Sequence, residues 1–198
     1  MRHLVLSLLA LILATGTAAA ASNPIVQKAE DYLRGLTTAK ADFIQRSSDG
    51  SMLSGVFYLD RPGRLRFEYN EVKDFIVADG VFIYFYDAQL AEQSNAPIGT
   101  TLADFLLRED IKLSGDLTVQ DVYSKDGFSH LTFAQTDDLG AGNVQLTFSE
   151  VPYQLRKWRV TDAQGAVTEI ELKNMERDMD LKSSLFAYHD PKPRGVND

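Results

Sequence analysis

Cysteine is absent from this sequence and histidine is scarce, and each shortage excludes a class of chemistry. Without cysteine, neither a disulfide nor a thiol nucleophile can form. The three histidines are His3, His130 and His189, and His3 lies in an N-terminal segment that we expect to be removed. The other two offer too little for a histidine metal site or a histidine-based triad. Packing alone must therefore stabilise the fold.

Motifs for catalysis and nucleotide binding are missing as well. The sequence has no G-x-S-x-G elbow, no glycine-rich phosphate loop and no H-E-x-x-H. The acidic pairs Glu109-Asp110 and Asp137-Asp138 fall at predicted turns, where solvated carboxylates are expected. A glycosidase-like pair of carboxylates from distant strands stays open at this level. We expect a protein that is not an enzyme and that uses no metal and no cofactor.

The longest apolar run stands at the N-terminus, from Leu4 to Ala14, between Arg2-His3 and the small residues of Thr15 to Ala21. This pattern predicts a secretory signal peptide over residues 1–20 with an A-x-A cleavage site. The run is shorter than the ~20 residues that cross a bilayer. We expect an exported, soluble product, with residues 21–198 as one domain.

The formal net charge is −8, from 20 basic and 28 acidic residues. An acidic surface disfavours nucleic acid as a partner, because the phosphate backbone attracts cations. It also disfavours permanent residence on anionic lipid headgroups.

Two stretches have the apolar spacing of amphipathic helices. The first follows Ser22-Asn23-Pro24, a cap followed by proline at the first helical position, and ends near Leu36. The second is short, with Thr101 as its cap and the apolar residues Leu102, Phe105, Leu106 and Leu107.

Elsewhere the apolar period is two, which predicts about ten antiparallel strands. Hairpins fill residues 53–87, and Asp79-Gly80 predicts a two-residue turn with positive φ at both positions. The later strands are predicted at Leu117–Tyr123, Phe128–Gln135, Asn143–Ser149, Gln154–Thr161 and Val167–Asn174. The predicted fold class is α+β: a strongly curved antiparallel sheet forming an unclosed β-barrel, lidded by short helices.

The hairpin from Phe75 to Tyr86 is apolar on both faces, whereas a strand with one solvated face should alternate. Both faces are therefore covered, or one face lines a cavity; the sequence leaves the choice between a packed core and a cavity open. Leu65, Phe67 and Tyr69 form a second apolar series beside this hairpin, with the same two readings. The candidate lining residues are Leu65, Phe67, Tyr69, Val77, Ile83 and Phe85. Arg61, before Pro62, is by itself an ordinary solvated turn residue.

An ordered set of short motifs resembles the periplasmic outer-membrane lipoprotein carrier family, LolA. The set covers nearly the whole chain after residue 20, and no single member of it is specific. In chain order the motifs are Ala41-Asp42-Phe43-x-Gln45, Gly55-x-Phe57-x-Leu59-x-Arg61-Pro62-x-x-Leu65-x-Phe67, Ile76-Val77-Ala78-Asp79-Gly80, Tyr84-Phe85-Tyr86-Asp87, Leu155-x-x-Trp158, and Leu185-Phe186 to Gly195-Val196. The chain departs from the family at Asn70-Glu71-Val72, where proline is frequent, and at Phe67, where tryptophan occurs.

The resemblance implies a monomeric periplasmic carrier with a hydrophobic cavity under a helical lid. Its cargo is acylated lipoproteins, which it takes from an ATP-driven release complex in the inner membrane and gives to an outer-membrane receptor. By position, Arg61 matches the arginine that latches the closed lid, Leu33 a cavity and lid leucine on the first helix, and Leu65 and Phe67 cavity-lining positions. A carrier or sensor of another amphiphile on the same fold is the alternative, and a purely structural interaction module is a further one.

Overall fold

The computed structural model describes residues 23–100 and 102–191. The predicted signal peptide, the capping residue Thr101 and the end of the C-terminal tail lie outside these described residues. In the described part, no helix has both the length and the apolarity that crossing a bilayer requires.

The first element is the α-helix α1, which spans Pro24–Gly35. The Asn23 side chain accepts a hydrogen bond from the backbone N–H of Ile25, and Pro24 takes the first helical position, where its missing N–H costs nothing. The helix buries its apolar stripe of Ala29, Tyr32 and Leu33. The predicted first helix is therefore confirmed, with its cap.

Within the described residues, eleven strands form one antiparallel sheet. They are β1 (Thr38–Ser47), β2 (Met52–Asp60), β3 (Arg64–Tyr69), β4 (Phe75–Asp79), β5 (Phe82–Asp87), β6 (Glu92–Pro97), β7 (Leu117–Lys125), β8 (Phe128–Gln135), β9 (Gly142–Glu150), β10 (Tyr153–Asp162) and β11 (Val167–Arg177). The same part of the chain contains two 3-10 helices: the lid helix (Leu102–Leu107) and the C-terminal 3-10 helix (Ser183–Phe186).

The strands run in the order β6-β5-β4-β3-β2-β1-β11-β10-β9-β8-β7. Adjacent strands of the sheet are consecutive in sequence except where β1 joins β11, and that pairing brings the two halves of the chain together. Strands β6 and β7 stand at the two ends of the sheet, so the sheet is not closed. This architecture confirms the predicted unclosed barrel.

Alternation along the strands places one residue in two on the concave side. The inward residues of β1, for example, are Ala39, Ala41 and Phe43, and all three are buried. Residues from α1, the lid helix and both halves of the sheet belong to one continuous apolar core on this side. The core therefore lies between the sheet and the elements that cover it.

Two details differ from the prediction. Strand β6 was not predicted, because its sequence is polar and almost every residue is exposed. The connection at Asp79-Gly80 is not a two-residue turn: the nearest paired residues are Ala78 and Ile83, and of the two turn residues only Gly80 has positive φ, +106°. The Asp79 carboxylate instead accepts hydrogen bonds from the N–H groups of Val81 and Phe82, which closes a longer loop.

A two-residue turn with positive φ at both positions does occur, between β7 and β8. Asp126 and Gly127 have φ of 51° and 79°, and Lys125 and Phe128 pair on either side of them. This geometry matches the right-handed twist of the flanking strands.

Candidate functional site

An apolar cavity of about 270 Å³, which we call the inner cavity, lies on the concave side of the sheet. Its walls come from β1, β2, β3, β4, β5, β10 and β11, with one residue of the lid helix. The lining residues are Gln45, Phe57, Leu65, Phe67, Tyr69, Ile76, Ile83, Phe85, Leu106, Trp158, Val160, Thr168 and Ile170. None of these residues is charged.

A second cavity of about 340 Å³, which we call the mouth cavity, adjoins the inner cavity. The two share Gln45, Tyr69, Ile76 and Phe85 as lining residues. The remaining wall of the mouth cavity is more polar and includes Asp74, Asp87 and Glu92. The apolar interior therefore leads to an acidic, open end.

The register of β3, β4 and β5 decides which hairpin residues reach the inner cavity. Phe67 pairs with Ile76, and Ile76 pairs with Phe85, so these side chains form one row on the concave face. Leu65, Ala78 and Ile83 form the next row. Among the predicted lining residues, Leu65, Phe67, Tyr69, Ile83 and Phe85 are in the lining.

The prediction that Val77 lines the cavity is wrong. Val77 pairs with Arg66 and Tyr84 on the convex face, and it is fully buried there. The C-terminal segment covers this face: Tyr188 stacks on Tyr84 with ring centroids 4.4 Å apart, and Phe186 is buried. The two-faced apolar hairpin thus has one face on a cavity and the other under the end of the chain.

Leu33 is also placed differently from its matched family position. Its side chain is fully buried in the core beneath α1 and does not line the inner cavity. Its backbone carbonyl is instead one of the acceptors of Arg61.

The floor of the inner cavity is built from aromatic rings in edge and tilted contacts, the arrangement that their quadrupoles favour. The ring centroids of Phe57 and Phe67 lie 4.9 Å apart, and Trp158 lies 5.7 Å from Phe57. Phe105 of the lid helix lies 6.4 Å from Trp158. The lid therefore rests directly on the cavity floor.

Arg61 connects α1 to the lid. Its Nη1 donates to the carbonyl oxygens of Leu33 and Leu36, at the end of α1. Its Nη2 donates to the carbonyl oxygens of Arg108 at 2.6 Å and Glu109 at 3.3 Å, just after the lid helix. These acceptors lie at helix ends, where the last carbonyls lack the regular intrahelical donor, and the planar fork of arginine can reach several at once; the Leu33 carbonyl also accepts from the N–H of Leu36. Arg61 is therefore half-buried between two covering elements and is not a solvated turn residue.

The charge of Arg61 has no carboxylate partner within hydrogen-bond or ion-pair distance in the described residues. Burial lowers the pKa of its guanidinium below the usual value, because water no longer solvates the cation fully. The negative end of the α1 dipole provides a compensating field. The backbone N–H of Gly63 also donates to the carbonyl of Leu107, at 2.9 Å, and adds a second link between this turn and the lid.

A second arginine holds the end of α1 to the sheet. Nη2 of Arg177, on β11, donates to the carbonyl of Gly35 at 2.8 Å, and its guanidinium lies 5.0 Å from the centre of the Tyr32 ring. The C-terminal end of α1 is therefore held by two arginines, Arg61 and Arg177.

Gln45 and Tyr69 are two of the few polar residues in the mostly apolar lining, which also includes Thr168. The Tyr69 hydroxyl donates to Oε1 of Gln45 at 2.9 Å. Burial, with a smaller contribution from the charge of Asp74, raises the pKa of Tyr69 to about 12, so the phenol stays protonated and able to donate.

Several lining residues were not singled out from the sequence. Trp158, Val160, Thr168 and Ile170 lie on β10 and β11, whose alternation does predict an inward face. Only the pairing of β1 with β11 shows that this face meets the cavity. Ile76 was missed because it and Val77 are equally apolar neighbours, so composition could not set the phase.

The remaining titratable candidates lie away from the inner cavity. His130 stands on the convex face, stacked on Tyr123 and within 3.2 Å of the Thr147 hydroxyl; burial, with the charges of Lys157 and Lys125, lowers its pKa. Within the described residues, no group of three or more His, Asp or Glu side chains could hold a metal.

An unclosed antiparallel barrel around a lidded apolar cavity is the architecture of a class of β-sheet proteins that can bind apolar ligands inside the barrel. The chain belongs to the LolA family: the family model described as "Outer membrane lipoprotein carrier protein LolA" matches residues 34–189.

The relatives support this assignment at low identity. The chain is 27% identical over 190 residues to an outer-membrane lipoprotein carrier protein of Methylococcus capsulatus, covering 91% of this chain and 90% of the relative. It is 30% identical over 179 residues to an outer-membrane lipoprotein carrier protein of Dechloromonas aromatica, covering 84% of each. A crystal structure of a DUF1329 family protein from Desulfovibrio piger has a TM-score of 0.52 at 10% identity, covering 82% of this chain and 95% of the other, and shows similarity of fold alone.

Proposed function

We propose that this protein is a monomeric periplasmic carrier, exported by its N-terminal signal peptide, that shields the acyl chains of lipoproteins. It takes them from an ATP-driven release complex in the inner membrane and transfers them to an outer-membrane receptor. The lidded, uncharged inner cavity in a LolA-family chain is the observation that carries this proposal. The lining has no carboxylate and no histidine, which suits binding better than catalysis.

The size of the inner cavity implies that cargo binding requires opening. At about 270 Å³ it is smaller than the roughly 300–1,000 Å³ of ordinary small-molecule sites. Several acyl chains need more room than this, so the lid must move away from the floor. We therefore propose that the arrangement described above, with the lid helix against the cavity floor, is the closed form of the carrier.

Transfer also requires that the bound chains be held incompletely. Burying one CH₂ group contributes ~0.8 kcal/mol, so three chains of about 16 carbons would contribute roughly 38 kcal/mol if fully buried. This exceeds the ~20 kcal/mol at which non-covalent affinity saturates. A carrier with that affinity could not deliver its cargo. The free energy of closing the lid must therefore oppose part of the binding free energy.

Arg61 is the group that we propose to supply this opposing free energy. When the lid is closed, its guanidinium satisfies carbonyls from both α1 and the segment after the lid helix. Opening the lid for cargo breaks the contacts to Arg108 and Glu109, and release of cargo restores them. The hydrogen bonds of Arg61 thus favour the empty state.

Two measurements test the proposal. The mature protein should bind a polarity-sensitive fluorescent probe with one site per monomer, and a diacylated lipopeptide should displace the probe. Mass spectrometry of the protein purified from periplasm should find lipoproteins. A different copurifying lipid would favour a carrier or sensor of another amphiphile, and failure of lipopeptide to compete would contradict the carrier function.

A further inference from the structure

Gln45 is a polar residue at an inward position of β1. The inward residues before it, Ala39, Ala41 and Phe43, are apolar and buried, and Gln45 continues their alternation into the lining of the inner cavity. Its strand neighbours Leu53 and Ile170 are apolar. A glutamine at such a position costs free energy unless its amide groups are paired.

Only one half of this amide is paired in the described residues. The Tyr69 hydroxyl donates to Oε1, which leaves the Nε2 group of Gln45 with two N–H donors and no protein acceptor in the described part of the chain. Because Oε1 accepts from Tyr69, the Nε2 end is held in a defined direction. Tyr69 therefore orients the amide of the half-buried Gln45 and leaves its Nε2 group as a donor that water or a ligand in the cavity can take.

The pair stands at the boundary between the two cavities. Gln45 and Tyr69 line both the inner cavity and the mouth cavity. Arg61 follows the end of β2, where Asp60 pairs with Thr38 at the start of β1. Gln45 lies seven positions after Thr38, which is roughly 23 Å along an extended strand. The free donor is thus at the opposite end of the strand from the lid latch.

Resting on the proposed function, we propose that Gln45 binds the ester or amide carbonyl groups that join the acyl chains of the cargo to its polar part. These carbonyls are acceptors without donors of their own, and they lie where an acyl chain meets the rest of a lipopeptide. With them at Gln45, the chains extend toward Phe57, Leu65 and Trp158 beneath the lid. The polypeptide then leaves through the mouth cavity.

Two diacylated lipopeptides that differ only in their linkage test this role. In one, the two chains of an N-terminal S-glyceryl-cysteine are palmitoyl esters; in the other they are hexadecyl ethers, which lack the carbonyl acceptors. Dissociation constants are measured by displacement of a fluorescent probe. The wild type should prefer the ester by roughly three- to tenfold, as expected for one or two hydrogen bonds. Gln45→Leu should lose this preference, and Tyr69→Phe should reduce it.

The control is Gln145→Leu, the same substitution at a convex-face position of β9, which should keep the preference. Because the preference is a ratio of two affinities measured on one preparation, it does not depend on the folded fraction of a variant. A Gln45→Leu protein that keeps the wild-type ratio, or a wild type without any preference, overturns the inference and leaves the carrier function standing. A wild type that binds neither lipopeptide contradicts the carrier function itself.

Discussion

Substituting Arg61 by leucine is the most direct test of the closed lid. The change keeps an apolar stem and removes the donors to the carbonyls of Leu33, Leu36, Arg108 and Glu109. Hydrogen bonds from a charged donor contribute ~1.5–3 kcal/mol each. Only the bonds to Arg108 and Glu109 break when the lid opens, and counting the closer of these two gives about 1.5–3 kcal/mol, or a roughly 10- to 150-fold change in the ratio of closed to open forms.

The consequence should appear in unloading rather than in loading. The Arg61→Leu protein should accept a lipoprotein from inner-membrane vesicles as readily as the wild type, because opening becomes easier. It should transfer that lipoprotein to the outer-membrane receptor poorly, because closure no longer opposes retention of the chains. Arg61→Lys should restore transfer only in part, since an ammonium group lacks the planar fork.

Arg64→Leu is the matched control, because Arg64 is the first residue of β3, just after the turn that contains Arg61, and it forms an ion pair with Asp60 instead of contacting the lid. It should load and unload normally. Thermal unfolding gives an independent reading: Arg61→Leu should destabilise the empty protein, and the difference from wild type should shrink when lipopeptide is bound. Wild-type rates of loading and transfer for Arg61→Leu would refute the latch.

Three further predictions concern the cavity and the sheet. Ile83→Asp places a charge in the lining of the inner cavity and should lower the affinity for the fluorescent probe at least tenfold, while circular dichroism still reports a folded protein. Loss of the folded signal would mean that the Ile83 side chain belongs to the packed core and does not line a cavity. Gly55→Ala should destabilise the fold by more than about 2 kcal/mol in chemical denaturation, since a Cβ would lie 1.9 Å from the carbonyl oxygen of Glu68, whereas Gly140→Ala should be nearly neutral. Burial alone would raise the pKa of Glu169, but hydrogen bonds and charges from Lys157 and Arg159 outweigh it and hold that pKa below 4.5. The ionised Glu169 therefore stabilises the folded protein above pH 4.5, and this contribution is lost as the pH falls through the lowered pKa. Glu169→Gln should flatten the acid side of the plot of melting temperature against pH, and an unchanged plot would contradict this.

Much of the local structure could be predicted because it depends on neighbouring residues. Asn23-Pro24 caps a helix through its own side chain, and the period of two predicts the strands from Leu117 onward to within a few residues. The sequence pattern did not predict strand β6, because an exposed strand at the edge of a sheet does not need apolar residues. The Asp79-Gly80 turn was misassigned because the Asp79 carboxylate caps a longer loop, which the dipeptide alone does not reveal.

The site was predictable only in part. Alternation correctly grouped Leu65, Phe67 and Tyr69, which line the inner cavity. Alternation could not decide whether Ile76 or Val77 lines the cavity, because neither face of their strand is solvated. The concave face lines the inner cavity beneath the lid helix, and the C-terminal segment covers the convex face. That choice depends on where Tyr188 and Phe186 lie, more than a hundred residues away in sequence.

The sequence by itself therefore determined the class of fold, the family motifs and the presence of more apolar surface than a one-sided sheet can bury. The tertiary structure alone decided which residues meet. Trp158 reaches Phe57 because β1 pairs with β11, a long-range contact with no local signal. The partners of Arg61 are backbone carbonyls, which every residue possesses, so no side-chain pattern could have indicated them.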